Sequence, residues 1–493
     1  MIKRNIIAIV FMLVFVSGCI GTTARMKNNN FTDYYSQGNY EQAISDALEM
    51  EAATQEVTLD DDVLLWDMQA ALACMATGEL EKACKLLDEA ETLAKDDDLK
   101  DSIDSAGEEI TALTLNNYLN DYSPTLYDKI LINTYKGIAF SMMGDKQNAR
   151  VEFNRAYDRQ RRSVEEFKTE IAEKAERSKE EWENKGKNDK KSKDGATGNS
   201  EKGKDNGKEV QKGGIDMDAT FAGAKKEIYA AKGDPQWEPY ADFVNPYTSY
   251  ISGLFWLHAG TDKSDMSKAV DCLTRVAGMS SSPVVESDLS LAKSALKGKS
   301  VSDDFVWVIF ENGLGPELEE FRLDIPLVLV KSDVSMASIA LPKLKSRNHA
   351  YSYLTPHYGG EDKEQTVELA SIDRVVETEF DLNYDALIMK SLLSLAAKSA
   401  VQYGVTQAAG EYGAIFNTLY SVMTTSADLR MWSALPKDIQ VTRFPRTELT
   451  DLQLLNPAGN VIADVDLPTS GSCVVFVRIP TDAAPSAVNV MTF

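Results

Sequence analysis

The sequence predicts an α+β protein, with α-helical hairpins in the N-terminal half and then a small β-sandwich-like domain carrying a helical insertion. Three observations predict it. Glycines recur in segments of helical apolar period, each followed by a spaced alanine. Residues 184–214 are almost wholly Lys, Gly, Asn, Asp, Ser and Glu. From about residue 303 apolar residues gather in short runs separated by Asn-Gly, Gly-Pro and Pro-Ala-Gly-Asn.

The chain opens as a short secretory signal. Lys3 and Arg4 supply a positive start, and Ile6 to Val16 form an apolar run too short for a comfortable membrane span. Val16-Ser17-Gly18-Cys19 follows. This resembles the bacterial lipobox, so residues 1–19 are expected to be a signal peptide, with Cys19 acylated as the first mature residue. More than one acyl chain makes such anchoring stable. Ile20 and Gly21, without an Asp, resemble the start of lipoproteins sorted to the outer membrane. Residues 20–30 are then a short tether that keeps the folded body near the membrane.

Helical hairpins are expected over 31–183. In the first, Tyr34 precedes Gly38, and Tyr40, Ala43 and Ala47 follow. In the second, Ala71 and Cys74 precede Gly78, and Leu80, Ala83, Leu87 and Ala90 follow. The third reads Gly137, Phe140, Gly144, Ala149, Phe153, Ala156. A further hairpin in 215–300 reads Gly253, Trp256, Gly260 and, after four extra residues, Met266, Ala269, Leu273. A small residue seven before the turn glycine lets the second helix approach, and the later alanine allows close packing. The turn glycine itself serves the tight helix–helix connection. The pattern resembles a degenerate tetratricopeptide repeat. Its glycines are unevenly spaced, so residues 99–131 are expected to add a helix or two, and 156–184 to extend as a charged helix. A disordered linker, 184–214, follows, because such a composition cannot bury enough apolar surface to offset its ordering entropy.

The β-rich domain is expected over 303–493. Phe305–Phe310, Phe321–Ile325 and Ser338–Pro342 read as strands, and 365–375 as a fourth. Helical period returns at about 378–426 as the insertion. Ile439–Phe444 is a strand, Leu452–Leu455 and Val461–Val465 flank a hairpin turn, and Val474–Ile479 closes it.

Composition narrows the function. Of 493 residues, 43% are apolar and 26% charged, an ordinary globular balance, and the formal charge of −24 argues against nucleic acid as a partner. Beyond Cys19 the cysteines are Cys74, Cys84, Cys272 and Cys473, without zinc spacing; small buried hydrophobes are the default, and a Cys74–Cys84 disulfide is the rival. No nucleophile elbow, phosphate loop, dinucleotide fingerprint or metalloprotease motif occurs. His258 reads as a packed residue. His349 and His357 stand eight apart with no third ligand set by spacing, so neither a metal nor a cofactor is expected. Two groups read as possible binding residues. Asp428, Arg430 and Trp432 alternate, either as an Asp–Arg pair over a packed indole or as a cradle for a carboxylate or sugar ring. Tyr351, Tyr353 and Tyr358 fall in a segment read as a loop and offer stacking surface.

Taken in order, the lipobox, the hairpins, Glu311-Asn312-Gly313, Ile339-Ala340-Leu341-Pro342 and Asp428-Leu429-Arg430-Met431-Trp432-Ser433-Ala434-Leu435-Pro436 resemble a family of uncharacterised bacterial lipoproteins with a tetratricopeptide-like N-terminal half. That resemblance implies an envelope-assembly or cell-wall role and carries no implication of a particular activity. The expected function is therefore a non-enzymatic, lipid-anchored scaffold that presents a concave helical groove to an envelope protein, with the cell wall as a second possible partner. The alternative is a glycan- or peptide-binding surface lipoprotein.

Overall fold

A computed structural model describes residues 30–56, 62–101, 122–163, 217–233, 245–299, 304–327, 335–385 and 426–493, with a few residues between. The lipobox and most of the tether, the linker, the charged extension beyond residue 163, most of the 99–131 region and the insertion beyond residue 392 lie outside them. The architecture is mixed α+β, with helices in the N-terminal half and strands in the C-terminal part.

Helices pair about the predicted glycines. Residues 30–36 form α1, followed by α2 (Tyr40–Glu56), α3 (Asp62–Thr77) and α4 (Leu80–Asp101). Next come α5 (Leu126–Met142), α6 (residues 146–163), α7 (Met217–Lys232), α8 (Pro246–Ala259), α9 (Lys263–Ala277) and α10 (Pro283–Leu296). Gly38, Gly78 and Gly144 sit between partner helices with φ of 74°, 80° and 77°, the left-handed region that L side chains avoid. Gly260 differs: its backbone is extended, and it is small because an added Cβ would lie 2.2 Å from the Trp256 carbonyl and 2.7 Å from Met266. The small positions seven residues earlier behave as the spacing predicts. A Cβ on Gly137 would meet the Phe153 ring at 2.8 Å, and one on Gly253 would meet Leu273 at 2.8 Å. Ala83, Ala149 and Ala269 are fully buried on the facing helices.

Among the described residues the strands that follow are β1 (Phe305–Asn312), β2 (Glu317–Leu327), β3 (Ser335–Lys345), β4 (Thr355–Tyr358), β5 (Glu361–Asp362) and β6 (Val367–Ser371), then β7 (Asp438–Pro445), β8 (Asp451–Leu455), β9 (Val461–Asp466), β10 (Cys473–Ile479) and β11 (Ala487–Thr492). A helix, α11, starts at residue 372. The segment 365–375 is therefore a short strand and the first turn of a helix, and the helical insertion begins six residues before its predicted start.

A five-stranded sheet runs β11-β10-β1-β7-β6, with β1 parallel to β10 and antiparallel to β7. Strand β1 is central and buried on both faces, which is why Val306 to Phe310 reads as a continuous apolar run. Alternation sends Trp307 and Ile309 into one core and Val306, Val308 and Phe310 into another. Strand β10 does not close the β8–β9 hairpin, as predicted, but lies beside β1. Strands β8 and β9 join β4 and β5 in a four-stranded sheet, β5-β4-β8-β9. Leu452, Leu454 and Val465 from that sheet share a core with the outer face of β1 and β10. Among the described residues β2 pairs with β3, and Ile339 and Leu341 of β3 pack with Ala224 and Ile228 of α7 and Tyr384 of α11.

The inner face of the five-stranded sheet packs on the helices. Trp307, Ile309, Ile439, Val441, Val474, Phe476 and Met491 belong to one core with Leu65, Met68, Ile138 and Trp256. Helices α3, α5 and α8 are buried almost all round as a result. These helices are covered by the chain's own sheet. The boundary near residue 303 is thus a change of secondary structure within one continuous core. Asn489 Nδ2 donating to the Met75 carbonyl at 2.9 Å and Gln69 Nε2 donating to Ser433 Oγ at 2.8 Å tie the two halves.

His258 sits in this seam, stacked on the Phe493 ring at 4.4 Å and edge-on to Trp307 at 5.0 Å. Burial pushes its pKa down to about 4, and the positive charge of Arg443 adds to the effect. A base with a depressed folded pKa loses stability as pH falls from the unfolded value, about 6.5, through the folded value. In that window the unfolded chain takes up a proton that the folded chain refuses. His258→Phe keeps the ring contacts and removes the proton site. The variant is expected to gain about 2 kcal/mol relative to wild type on going from about pH 7.5 to about pH 5. Urea unfolding at the two pH values checks it; an unchanged difference would place the histidine in water.

The four cysteines within the described residues are free and buried, and burial pushes Cys74, Cys84 and Cys272 up to about 12. They behave as small core residues.

Candidate functional site

A cavity of about 310 Å³ opens where the N-terminus of α5, the first turns of α11, the β2–β3 hairpin and residues 427–431 meet. Leu318, Pro342, Leu344, Phe380 and Met431 make its wall mainly apolar. Its size and lining suit a small apolar group or one side chain of a peptide.

Several polar groups on or beside the wall hold the fold together. Thr125 caps α5 by accepting from the Asp128 N–H, while the Asp128 carboxylate accepts from the Thr125 N–H at 2.9 Å, a capping box. Tyr122 donates to the same carboxylate at 2.8 Å. Glu379 reaches across from α11 and accepts from the Leu126 and Tyr127 N–H groups at 2.9 and 3.2 Å. Those donors belong to the first turn of α5, which has unsatisfied N–H groups and a positive dipole end. Burial pushes Glu379 up to about 7, against the pull of the two backbone donors.

Arg430 supplies the positive charge. Its Nε and Nη2 donate to Asp428 at 2.9 and 2.6 Å, and Nη1 pairs with Asp62 at the start of α3. Burial works against the guanidinium charge, but the two aspartates outweigh it and hold the pKa above its ordinary value. A guanidinium engaged on both sides in this way ties residues 428–430 to α3 and has little capacity left for a ligand carboxylate. Trp432 is fully buried below, edge-on to Tyr135 at 5.9 Å. Of the two readings of Asp428, Arg430 and Trp432, the Asp–Arg pair over a packed indole describes the geometry, and Asp428 and Arg430 also line the cavity.

The tyrosine segment is corrected. Tyr358 lies in β4, not a loop; it is 1% exposed, and its hydroxyl donates to the Leu449 carbonyl at 2.9 Å. It has no face left for stacking. Tyr351 and Tyr353 are half-buried, Tyr351 donating to the Asp482 carbonyl at 3.2 Å. None of the three lines the cavity. His349 and His357 each face a carboxylate of their own, Asp438 and Asp362, both at 2.7 Å. The hydrogen bond that His349 donates to Asp438 raises its pKa above the ordinary value despite partial burial.

Sequence reasoning missed Glu379 and Asp62. Both were visible only as acidic residues near predicted helix starts, and nothing in a linear reading joins Asp62 to Arg430. Among the described residues no helix is long and apolar enough to cross a membrane. No protein-family model, curated protein or solved structure matches the chain.

Proposed function

We propose that the protein is a lipoprotein of the bacterial cell envelope, anchored through Cys19 in the outer membrane, which binds an envelope protein and catalyses no reaction. The observation that carries the anchoring is the sequence Val16-Ser17-Gly18-Cys19 behind its charged and apolar lead. The glycine and alanine contacts at Gly137, Gly253, Ala149 and Ala269 support reading the hairpins as tetratricopeptide-like units. The core shared by the four- and five-stranded sheets supports a sandwich-like body. The five-stranded sheet packs on helices α3, α5 and α8, so the partner surface is proposed elsewhere on the body. A second reading, peptide binding, is favoured by the apolar cavity beside Glu379 and Arg430.

Labelled palmitate supplied to cells is expected to enter the wild-type protein, and Cys19→Ser to abolish incorporation and release the chain from membranes. Capture from solubilised membranes separates the two readings. A stoichiometric protein partner retained by Ala340→Phe, which fills the cavity, supports scaffolding. Binding of short peptides that this substitution removes supports the second reading. An unlabelled protein recovered from the cytosol overturns both.

A further inference from the structure

Helices α2, α3 and α4 bring Glu51, Asp67 and Glu89 together, one from each, with a carboxylate oxygen of each within 4.8 Å of the others. Asp67 sits at the closed end. It is 0% exposed, and among the described residues no hydrogen-bond donor reaches either of its oxygens. A buried carboxylate with neither donor nor cation is costly, and native folds rarely keep one without a reason. Glu51 is half-buried and Glu89 exposed, so the cluster opens to solvent along one side.

A second cluster in the same helices shows how this fold answers such a cost. Asp88, Glu91 and Glu152 also converge, and there the Lys136 ammonium sits among them at 2.5, 2.7 and 3.1 Å. No described lysine or arginine pairs with Asp67 in the first cluster. Lys85 is 3.8 Å from Glu89 but largely exposed, at the rim. Burial, with Glu51 and Glu89 adding repulsion, pushes Asp67 up to about 8.

We propose that Glu51, Asp67 and Glu89 form a binding site for one calcium ion. Three carboxylate oxygens are hard ligands of the class calcium takes, and calcium accepts such a partly hydrated set in flexible geometry. Magnesium demands near-ideal octahedral contacts of about 2.0–2.1 Å and gives up its waters reluctantly, so three side chains from three helices suit it less well. Water from the open side completes the coordination. Three protein ligands make a weak site, in the range of roughly 10⁻⁴–10⁻³ M typical of extracellular modules. The ion would clamp three successive helices where the apolar contacts of Ala70 and Ala71 are small.

The experiment uses the full-length, detergent-solubilised protein stripped with chelator. Thermal unfolding and equilibrium dialysis with ⁴⁵Ca²⁺ are run at pH 8, with and without millimolar calcium or magnesium. Wild type is expected to gain several degrees with calcium and less with magnesium. Asp67→Asn, nearly isosteric, is expected to lose both the gain and one bound calcium per chain. Glu89→Gln, at the exposed edge and harmless to folding, is expected to weaken the binding. Overturning results are no calcium-dependent shift in wild type, or a shift and stoichiometry unchanged in both variants.

Discussion

Arg443→Met will destabilise the folded chain by about 3–5 kcal/mol at neutral pH, the loss expected when one partner of a buried ion pair is removed. Asp288 of α10 is fully buried. Tyr250 of α8 donates to it at 2.7 Å, Trp307 of β1 at 3.2 Å, and Arg443 of β7 pairs with its other oxygen. Burial already holds the Asp288 carboxyl above its ordinary value, opposed chiefly by Arg443. Without the guanidinium that rise grows. The folded state then holds a proton that the unfolded state gives up, so the variant's deficit increases as pH rises above the ordinary carboxylate range and shrinks as pH falls towards it. Asp288→Asn in the same background should recover much of the loss, because the amide needs no countercharge. Urea midpoints at two pH values measure this. A deficit under 1 kcal/mol, or one that does not depend on pH, would show that Arg443 contributes only its packing on Phe305, 4.2 Å away.

The second large effect is expected at Lys136. Its ammonium is wholly buried against Asp88, Glu91 and Glu152. Arg159 and Arg155 complete the network, Arg159 donating to Glu91 at 3.1 Å and Arg155 to Glu152 at 2.8 Å. Burial raises Glu91, but the Lys136 hydrogen bond and the surrounding positive charge outweigh it and bring the pKa down to about 2. An acid with a depressed folded pKa contributes stability above its unfolded value, and that stability is lost as pH falls through the folded one. Lys136→Met keeps the stem volume and removes the charge. It should cost about 3 kcal/mol at neutral pH, since two arginines remain, and the cost should fade below about pH 4 as the carboxylates take up protons. Glu91→Gln added to Lys136→Met should restore part of the loss, and strict additivity of the two would mean they do not interact.

Both networks were out of reach of a linear reading for one reason. Lys136 stands 45 residues from Glu91, and Arg443 stands 155 from Asp288. Local period tells which face of a helix is apolar; it does not tell which distant acid a buried base will meet. The same limit hid Asp62 as a partner of Arg430. It also turned β10 from a hairpin strand into the parallel neighbour of β1, because strand order depends on which apolar faces meet. Tyr358 was misplaced for a smaller reason: β4 has only four residues, too few to show alternation.

By itself the sequence determined the glycine-closed helix pairs, the change to strands near residue 303 and the packing alanines, since these follow from backbone sterics and short-range apolar period. It also carries the Cys19 motif on which the proposed anchoring rests. Only the tertiary structure decided that the five-stranded sheet covers α3, α5 and α8, that Arg430 is spent on two aspartates, and that Lys136 meets three carboxylates while no described cation pairs with Asp67. Those outcomes depend on which residues burial brings together across hundreds of positions, where the cost of an unpaired charge is set by the three-dimensional neighbourhood and not by spacing along the chain.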